Sequence, residues 1–115
     1  MLNLNHKKLN VWKRSIELVT ELYEVTKLLP DHEKFGLVSQ LRRAAVSISS
    51  NISEGAARKS KLERKRFFEI SRSSLVEIDT QIEIALVLNY LSKDQVSSLN
   101  KLTNETFAML SSLTK

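Results

Sequence analysis

The chain has 115 residues, with 18 lysines and arginines against 13 aspartates and glutamates, which gives a formal net charge of +5. This length predicts one domain over residues 1–115 with a modest hydrophobic core. The absence of cysteine excludes a disulfide framework and a cysteine-based zinc site, and it fits a reducing cytoplasm. No apolar run approaches the roughly 18 residues of a membrane span, and the N-terminus lacks the apolar stretch of a signal peptide. We therefore expect a cytoplasmic protein without a membrane partner.

Apolar residues at helical spacing predict a first helix over residues 7–28, after a loose N-terminal arm at residues 1–6. The chain has only one proline and two glycines, which favours helices throughout. The first helix carries two apolar stripes about 130° apart, so it should contact neighbours on two sides, in its own bundle or in another subunit. The first stripe contains Trp12, Ile16, Val19 and Tyr23, and the second contains Leu18, Leu22, Val25 and Leu29.

A second helix is predicted over residues 31–58. Pro30 ends the first helix because the residue before a proline avoids the α region. Asp31 is the expected N-cap of the second helix, and Glu33 should lie near its positive end. Gly55 is either a stop signal near the end of this helix or a close-packing point inside it. The expected core stripe contains Leu37, Leu41, Ala44, Ile48 and Ile52.

Two capping boxes predict the last two helices. Ser60 and Glu63 have the required spacing at the start of a helix over residues 61–91, and Ser92 and Gln95 have it before a helix over residues 93–113. The third helix should bury Phe67, Leu75, Ile78, Ile82 and Ala85, with a flank of Ile70, Ile84, Leu88 and Leu91. The fourth should bury Val96, Leu99, Leu102, Met109, Leu110 and Leu113, with Phe107 beside them. Four amphipathic helices with short connections predict an all-α, antiparallel up-down-up-down four-helix bundle.

The second helix also carries an unusual polar stripe. Its members are Gln40, Arg43, Ser47, Asn51, Glu54 and Arg58. Small amides and hydroxyls are poor helix formers in a helix interior, so a specific contact should retain them. One interpretation is a satisfied network that fixes helix register or subunit docking, and the other is a surface that faces a ligand or RNA. In the network, Arg43 should be partly buried and held by Glu54 or Glu77, or by the same groups of a neighbouring subunit.

No motif in the chain supports catalysis. The two histidines, His6 and His32, lack a glutamate three residues earlier, so the pattern of a di-iron bundle is missing. No glycine-rich phosphate loop is present, and no histidine lies in a helix interior to activate a serine. We therefore predict no catalytic residue, no metal and no cofactor, and we regard the protein as non-enzymatic.

Three segments of the chain resemble a known family. They read VWKRSIELVTELYEVT, FGLVSQLRRAAVSISSNISEG and SLVEIDTQIEIA, and the most specific part is the run from Ser39 to Gly55. Together they resemble the 23S ribosomal RNA intervening-sequence proteins, from about Leu9 to about Leu91. The resemblance implies an all-α bundle that often assembles as a ring of five subunits. Some members are encoded within insertions in the large-subunit ribosomal RNA gene. A distant relative is the accessory protein of diversity-generating retroelements, whose basic ring engages a reverse transcriptase and nucleic acid.

Two segments are strongly basic. Residues 58–72 carry seven lysines and arginines against two glutamates, and the first fifteen residues carry four without an acid. This distribution favours a polyanion or an acidic partner, although it could also be a solvated helix start. The first hypothesis is a module that binds nucleic acid, with RNA favoured over DNA. Its binding should be mainly electrostatic, because the segment lacks exposed aromatic residues for base stacking. The alternative is a scaffold whose oligomer presents a basic rim to an acidic protein. The candidate phosphate contacts are Arg58, Lys59, Lys61, Arg64, Lys65 and Arg66.

Overall fold

The computed structural model describes residues 1–115 and contains four α-helices and no strand. The helices are α1 (Asn10–Thr26), α2 (Leu37–Ala56), α3 (Lys61–Val87) and α4 (Ser97–Leu113), with short 3₁₀ turns at Asn5–Lys8 and Asp31–Glu33. The predicted all-α fold with four helices is confirmed. None of the helices combines the length and the apolar character that crossing a membrane requires.

Side-chain contacts between successive helices show that they run antiparallel. Trp12 near the start of α1 donates to Ser53 near the end of α2, and Arg42 near the start of α2 donates to Thr26 at the end of α1. The same order holds between α2 and α3 and between α3 and α4, where the pairs are Gln40 with Gln81, Ser47 with Ser74, and Arg72 with Phe107. Each helix packs on its sequence neighbours, and α4 closes the bundle against α1. The fold is therefore the up-down-up-down bundle that the sequence predicted.

The apolar residues of all four helices meet in one buried core. It contains the second predicted stripe of α1 and most of the predicted stripe of α2. In α3 the buried phenylalanine is Phe68, whereas Phe67 is half-buried, so the choice of Phe67 for the core was wrong. The predicted flank of α3 is largely solvent-exposed at Ile70, Ile84 and Leu88. The single chain does not cover these side chains, and the polar residues Ser74 and Glu77 separate Ile70 from the other two.

The predicted start of α2 at Asp31 is wrong, because α2 begins at Leu37. Residues Asp31–Glu33 form a separate 3₁₀ turn, and Gly36 is the N-cap with φ −109° and ψ −110°. The Gly36 side chain offers no hydrogen-bond acceptor for the first helical amides. The Glu33 carboxylate takes that role, since its Oε1 accepts a 3.2 Å hydrogen bond from the Leu37 amide.

The predicted end of α3 is also too late, since α3 ends at Val87. Asn89 has a φ of 61°, which places it in the left-handed region that a helix cannot continue. The Tyr90 amide donates to the Ala85 carbonyl at 2.9 Å, and the Asn89 amide donates to Leu86 at 3.0 Å. These two bonds form a Schellman motif with asparagine in the position that glycine most often occupies.

Both predicted capping motifs form hydrogen bonds. The Glu63 amide donates to Ser60 Oγ at 3.1 Å, and α3 starts at the next residue after Ser60 as predicted. The second box is reciprocal, with the Ser92 amide bonded to Gln95 Oε1 at 2.9 Å and the Gln95 amide bonded to Ser92 Oγ at 3.3 Å. This box closes a turn, and the regular part of α4 begins only at Ser97.

Candidate nucleic-acid interface

The antiparallel topology brings the two basic segments to one end of the bundle. The starts of α1 and α3 lie at this end together with the ends of α2 and α4. We define the basic end as residues 1–18, 49–73 and 105–115. It carries twelve lysines and arginines against five carboxylate side chains, a net charge of +7. The other half of the bundle carries six against eight, a net charge of −2. The bundle is therefore polarised along its length.

Two arginines of the basic end organise the connection between α2 and α3. Arg58 donates to Glu54 Oε2 at 3.1 Å, and its guanidinium lies 4.8 Å from the ring centroid of Phe67. Arg64 donates through Nη1 to the carbonyls of Arg58 at 3.0 Å and Lys59 at 2.8 Å. These bonds hold the chain as it leaves α2, so both arginines have a structural role besides their charge.

Four other cations of the predicted patch have no acidic partner in the chain. The four ion pairs of the molecule involve none of them. Three are solvent-exposed and Lys65 is half-buried. They follow the end of α2 and lie in the first turns of α3, where the helix dipole adds a partial positive charge. These four free cations are Lys59, Lys61, Lys65 and Arg66.

The N-terminal basic segment also contains both cations that are bonded within the chain and cations that are free. Arg14 forms ion pairs with Glu17 at 2.8 Å and with Glu105 at 3.0 Å. Lys7 donates to the Leu2 carbonyl. Lys8 and Lys13 are exposed and take part in no ion pair. The turn Asn5–Lys8 packs on both α1 and α2, so it lies beside the end of α2.

Aromatic rings are poorly accessible at the basic end. Phe68 is only 7% exposed, and one face of the half-buried Phe67 ring carries the Arg58 guanidinium. Trp12 is half-buried, donates to Ser53 Oγ at 3.1 Å and has the His6 ring against it at a centroid distance of 5.4 Å. The surface therefore offers positive charge without a free platform for base stacking.

The polar stripe of α2 forms contacts with α3, but the expected role of Arg43 inside the chain is wrong. Arg43 is exposed and belongs to none of the ion pairs. Glu54 pairs with Arg58 instead, and Glu77 is exposed. Arg43 lies on the outer face of α2, where its charge stays in water and no carboxylate is needed to offset burial. A pairing with a neighbouring subunit stays a prediction.

The remaining members of the stripe form a string of hydrogen bonds. Gln40 Oε1 accepts from Gln81 Nε2 at 3.3 Å, and Ser47 Oγ accepts from Ser74 at 3.1 Å. Asn51 Nδ2 also donates to Ser47 Oγ at 3.0 Å. The first two bonds link α2 to α3, and the third lies within α2. The register-fixing role of the first interpretation stays a prediction.

A second polar network joins α1 and α2, and it was not predicted from the sequence. Ser15 is fully buried, donates to the Trp12 carbonyl at 2.6 Å and lies 2.9 Å from Ser49 Oγ. Because Ser15 has one proton, Ser49 is the donor of the second bond. The available signal was the spacing of Ser49 and Ser53, which places two small hydroxyls on the face of α2 that meets α1.

An open groove of about 310 Å³ lies between α3 and α4. Ile78, Ile82 and Leu86 form part of its apolar floor, and Asp79 and Glu83 lie on its rim. It belongs to the acidic half of the bundle, although Lys93 also lines it. No three His, Cys, Asp or Glu side chains in the chain are grouped as metal ligands.

The fold and the charge distribution define a small all-helical bundle with a basic end. The chain belongs to the family of 23S rRNA-intervening sequence proteins, whose family model matches residues 7–112. Its fold is similar to the crystal structure of a protein of unknown function from the S23 ribosomal protein family of Bacteroides thetaiotaomicron. That similarity has a TM-score of 0.83 at 24% sequence identity and covers 91% of this chain and 98% of the other. No curated protein matches the chain.

Proposed function

We propose that this protein is a non-enzymatic module that binds RNA or DNA through its basic end. The observation that carries the proposal is the group of four unpaired cations, Lys59, Lys61, Lys65 and Arg66, in a half-bundle of net charge +7. A phosphate backbone is the polyanion that such a surface attracts, and lysines at a helix start suit phosphate oxygens. Arg58 and Arg64 add charge while they hold the α2–α3 connection.

The expected binding is electrostatic and tolerant of sequence. Lysine is a flexible point charge without the planar fork with which arginine reads base edges. Each phosphate contact on a single strand should therefore add about −0.7 to the slope of log K against log salt concentration. Binding by one chain should be weak, because only a few contacts are available.

We also propose that the chain forms a homo-oligomer, in which five subunits would match the family resemblance. The exposed apolar flank of α3 supports this, with Ile70, Ile84 and Leu88 exposed by 44%, 43% and 49%. Ile84 and Leu88 lie one turn apart and form a small apolar patch that favours a protein contact, and Ile70 lies further along the same face. A ring would repeat the basic end on one rim and strengthen weak contacts by avidity.

Light scattering tests the assembly. We expect a mass several times the 13.2 kDa of one chain at micromolar concentration, and Ile84→Lys should lower it. A parent protein that scatters as a single chain under these conditions would contradict the oligomer.

Charge reversal of Lys61, Lys65 and Arg66 to glutamate tests nucleic-acid binding. Arg64 is left intact because it bonds to the backbone of the α2–α3 connection. A glutamate at the start of α3 also suits the helix dipole, so the variant should stay folded by circular dichroism. The matched control reverses three exposed lysines of the other half-bundle, Lys34, Lys93 and Lys101.

We expect the first variant to lose most of its binding to a mixed RNA pool at low salt, measured by fluorescence anisotropy, while the control retains it. If the two variants bind the RNA pool equally tightly, only the net charge of the protein matters. That result would contradict a binding site at the free cations. If the parent captures a protein whose retention survives nuclease treatment and binds no RNA or DNA, the scaffold with an acidic protein partner replaces this proposal.

A further inference from the structure

We infer that the binding surface extends across the end of α2 to Lys8 and that it takes base-paired nucleic acid in preference to unpaired strands. This inference rests on the proposed function and adds the class of ligand. Lys8 is remote in sequence from Lys61, Lys65 and Arg66 of α3, and the packing of the N-terminal turn on α2 brings it to the same end of the bundle.

Lys8 belongs to the turn Asn5–Lys8, which is held in place by contacts with α1 and with α2. The His6 ring lies edge-on against Trp12 at 5.4 Å, and Trp12 donates to Ser53 in the last turn of α2. The turn therefore lies beside the end of α2, and the chain leaves that end towards Lys59. Lys8 is exposed and has no hydrogen bond or ion pair that would hold its ammonium group.

The aromatic side chains argue against an unpaired strand as the preferred ligand. Proteins that bind single strands without sequence preference use exposed rings on which successive bases stack. Here Phe68 is buried, Phe67 is occupied by the Arg58 guanidinium, and Trp12 is committed to Ser53 and His6. A duplex keeps its bases stacked on each other and presents only phosphates and grooves, so it needs no such platform.

The density of charge favours a duplex as well. A duplex carries one phosphate per about 1.7 Å of its axis, twice the density of one strand. The turn that carries Lys8 contacts α1 and α2 but not α3, so the end of α2 lies between Lys8 and the cations of α3, in a bundle that measures 30 × 21 Å across its two shorter axes. A duplex can offer phosphates of both strands to Lys8 and to the α3 cations, whereas one strand follows a single path.

The test compares binding of three labelled ligands to the full-length chain. They are an RNA duplex of about 16 base pairs, a length that a shape-reading domain spans, the DNA duplex of the same sequence, and one of the RNA strands alone with a sequence that does not fold. The variants are the parent, Lys8→Glu, and Lys101→Glu as a control with the same charge change at the other end. Both altered lysines are exposed and outside the ion pairs, so circular dichroism should not change.

We expect the parent to bind at least one duplex about tenfold more tightly than the single strand at the same salt concentration. Lys8→Glu should weaken duplex binding several-fold and lower the salt slope by about 0.9, the value for one lost duplex contact, whereas Lys101→Glu should not. Either duplex can be the tighter ligand under the inference. A preference for one of them would show whether the surface fits the grooves of an RNA duplex or those of a DNA duplex.

Two results would overturn the inference while the proposed function stands. One is equal or tighter binding of the single strand, and the other is duplex binding by Lys8→Glu that equals that of Lys101→Glu. Absence of binding to all three ligands would overturn the proposed function itself, and the inference with it.

Discussion

Gly55 of α2 lies so close to the Phe68 ring of α3 that a Cβ atom on Gly55 would approach Phe68 Cε1 to 2.9 Å and Phe67 Cβ to 3.1 Å. The sequence left two roles open for Gly55, and this contact assigns it to close packing. Gly55 has no positive φ and the helix continues past it to Ala56, so it is not a left-handed stop. The close approach holds the end of α2 against the start of α3, directly beside the free cations Lys59, Lys61, Lys65 and Arg66.

Gly55→Ala should therefore destabilise the bundle even though alanine is the better helix former. The Phe68 ring is buried and cannot swing away, so overpacking should cost about 1–3 kcal/mol, partly offset by a propensity gain of about 1 kcal/mol. Chemical denaturation would measure the net loss. The same substitution in a Phe68→Leu background should cost less, because the shorter side chain leaves room for the methyl group. A stabilised Gly55→Ala protein would contradict the contact.

The helices and most of the core could be predicted because they depend on periodicity within one segment. Leu18, Leu22 and Leu41 occupy positions where helical spacing alone selects the buried face, and all three are fully buried. The end of α3 depended instead on the backbone conformation of Asn89, and the start of α2 on a carboxylate that reaches across Gly36. Such features depend on individual hydrogen bonds that propensity does not encode.

The basic run of the candidate interface was visible in the sequence, but its division into free and engaged cations was not. Arg58 and Arg64 look like Lys61 and Lys65 in a charge count, yet they bond to Glu54 and to backbone carbonyls. Similarly, Arg42 and Arg43 are neighbours in sequence but lie about 100° apart around α2. Which of them meets α1 depends on how α2 is rotated in the bundle, which no single segment determines.

Arg42, and not Arg43, should stabilise the isolated bundle. Arg42 Nε donates to Thr26 Oγ1 at 2.9 Å, and its guanidinium lies 4.5 Å from the Tyr23 ring centroid. Arg42→Ala should cost about 1–2 kcal/mol in unfolding free energy, whereas Arg43→Ala should stay within about 0.5 kcal/mol. Parallel urea titrations would compare the two. A loss of about 3–5 kcal/mol for Arg43→Ala would instead indicate burial against a carboxylate of another subunit.

Asn89 should tolerate glycine and reject alanine. Its φ of 61° lies in the left-handed region, where a Cβ atom clashes and asparagine is one of the few tolerated side chains. Asn89→Ala should cost about 1 kcal/mol, a fall of roughly 4 °C in the melting temperature, and Asn89→Gly should be neutral or slightly stabilising. Calorimetry on the pair is the measurement. If alanine and glycine melt at the same temperature, the Schellman motif does not stabilise the end of α3.

Tyr90 should make the stability of the bundle fall at high pH. Its hydroxyl donates to Glu33 Oε2 at 3.1 Å and therefore accepts from His32 Nε2, also at 3.1 Å. Desolvation, and secondly the Glu33 carboxylate, raise the pKa of Tyr90 above its usual 10.0. A raised pKa in the folded state means that the stabilisation is fully present below pH 10.0 and is lost as the pH rises through the folded pKa.

Ultraviolet titration of the phenolate in a Tyr23→Phe background isolates Tyr90, because the chain has only two tyrosines. Glu33→Gln removes the charge but retains an amide oxygen for the Leu37 amide, so α2 should keep its cap. It should lower the pKa of Tyr90 only part of the way to 10.0, because desolvation, the first cause of the shift, stays in place. Between pH 10.0 and the folded pKa of Tyr90, the unfolding free energy of the parent should fall more than that of Tyr90→Phe. The Tyr90→Phe variant controls for the other groups that titrate in this range. An unchanged Tyr90 titration in Glu33→Gln would show that the carboxylate does not act on the phenol.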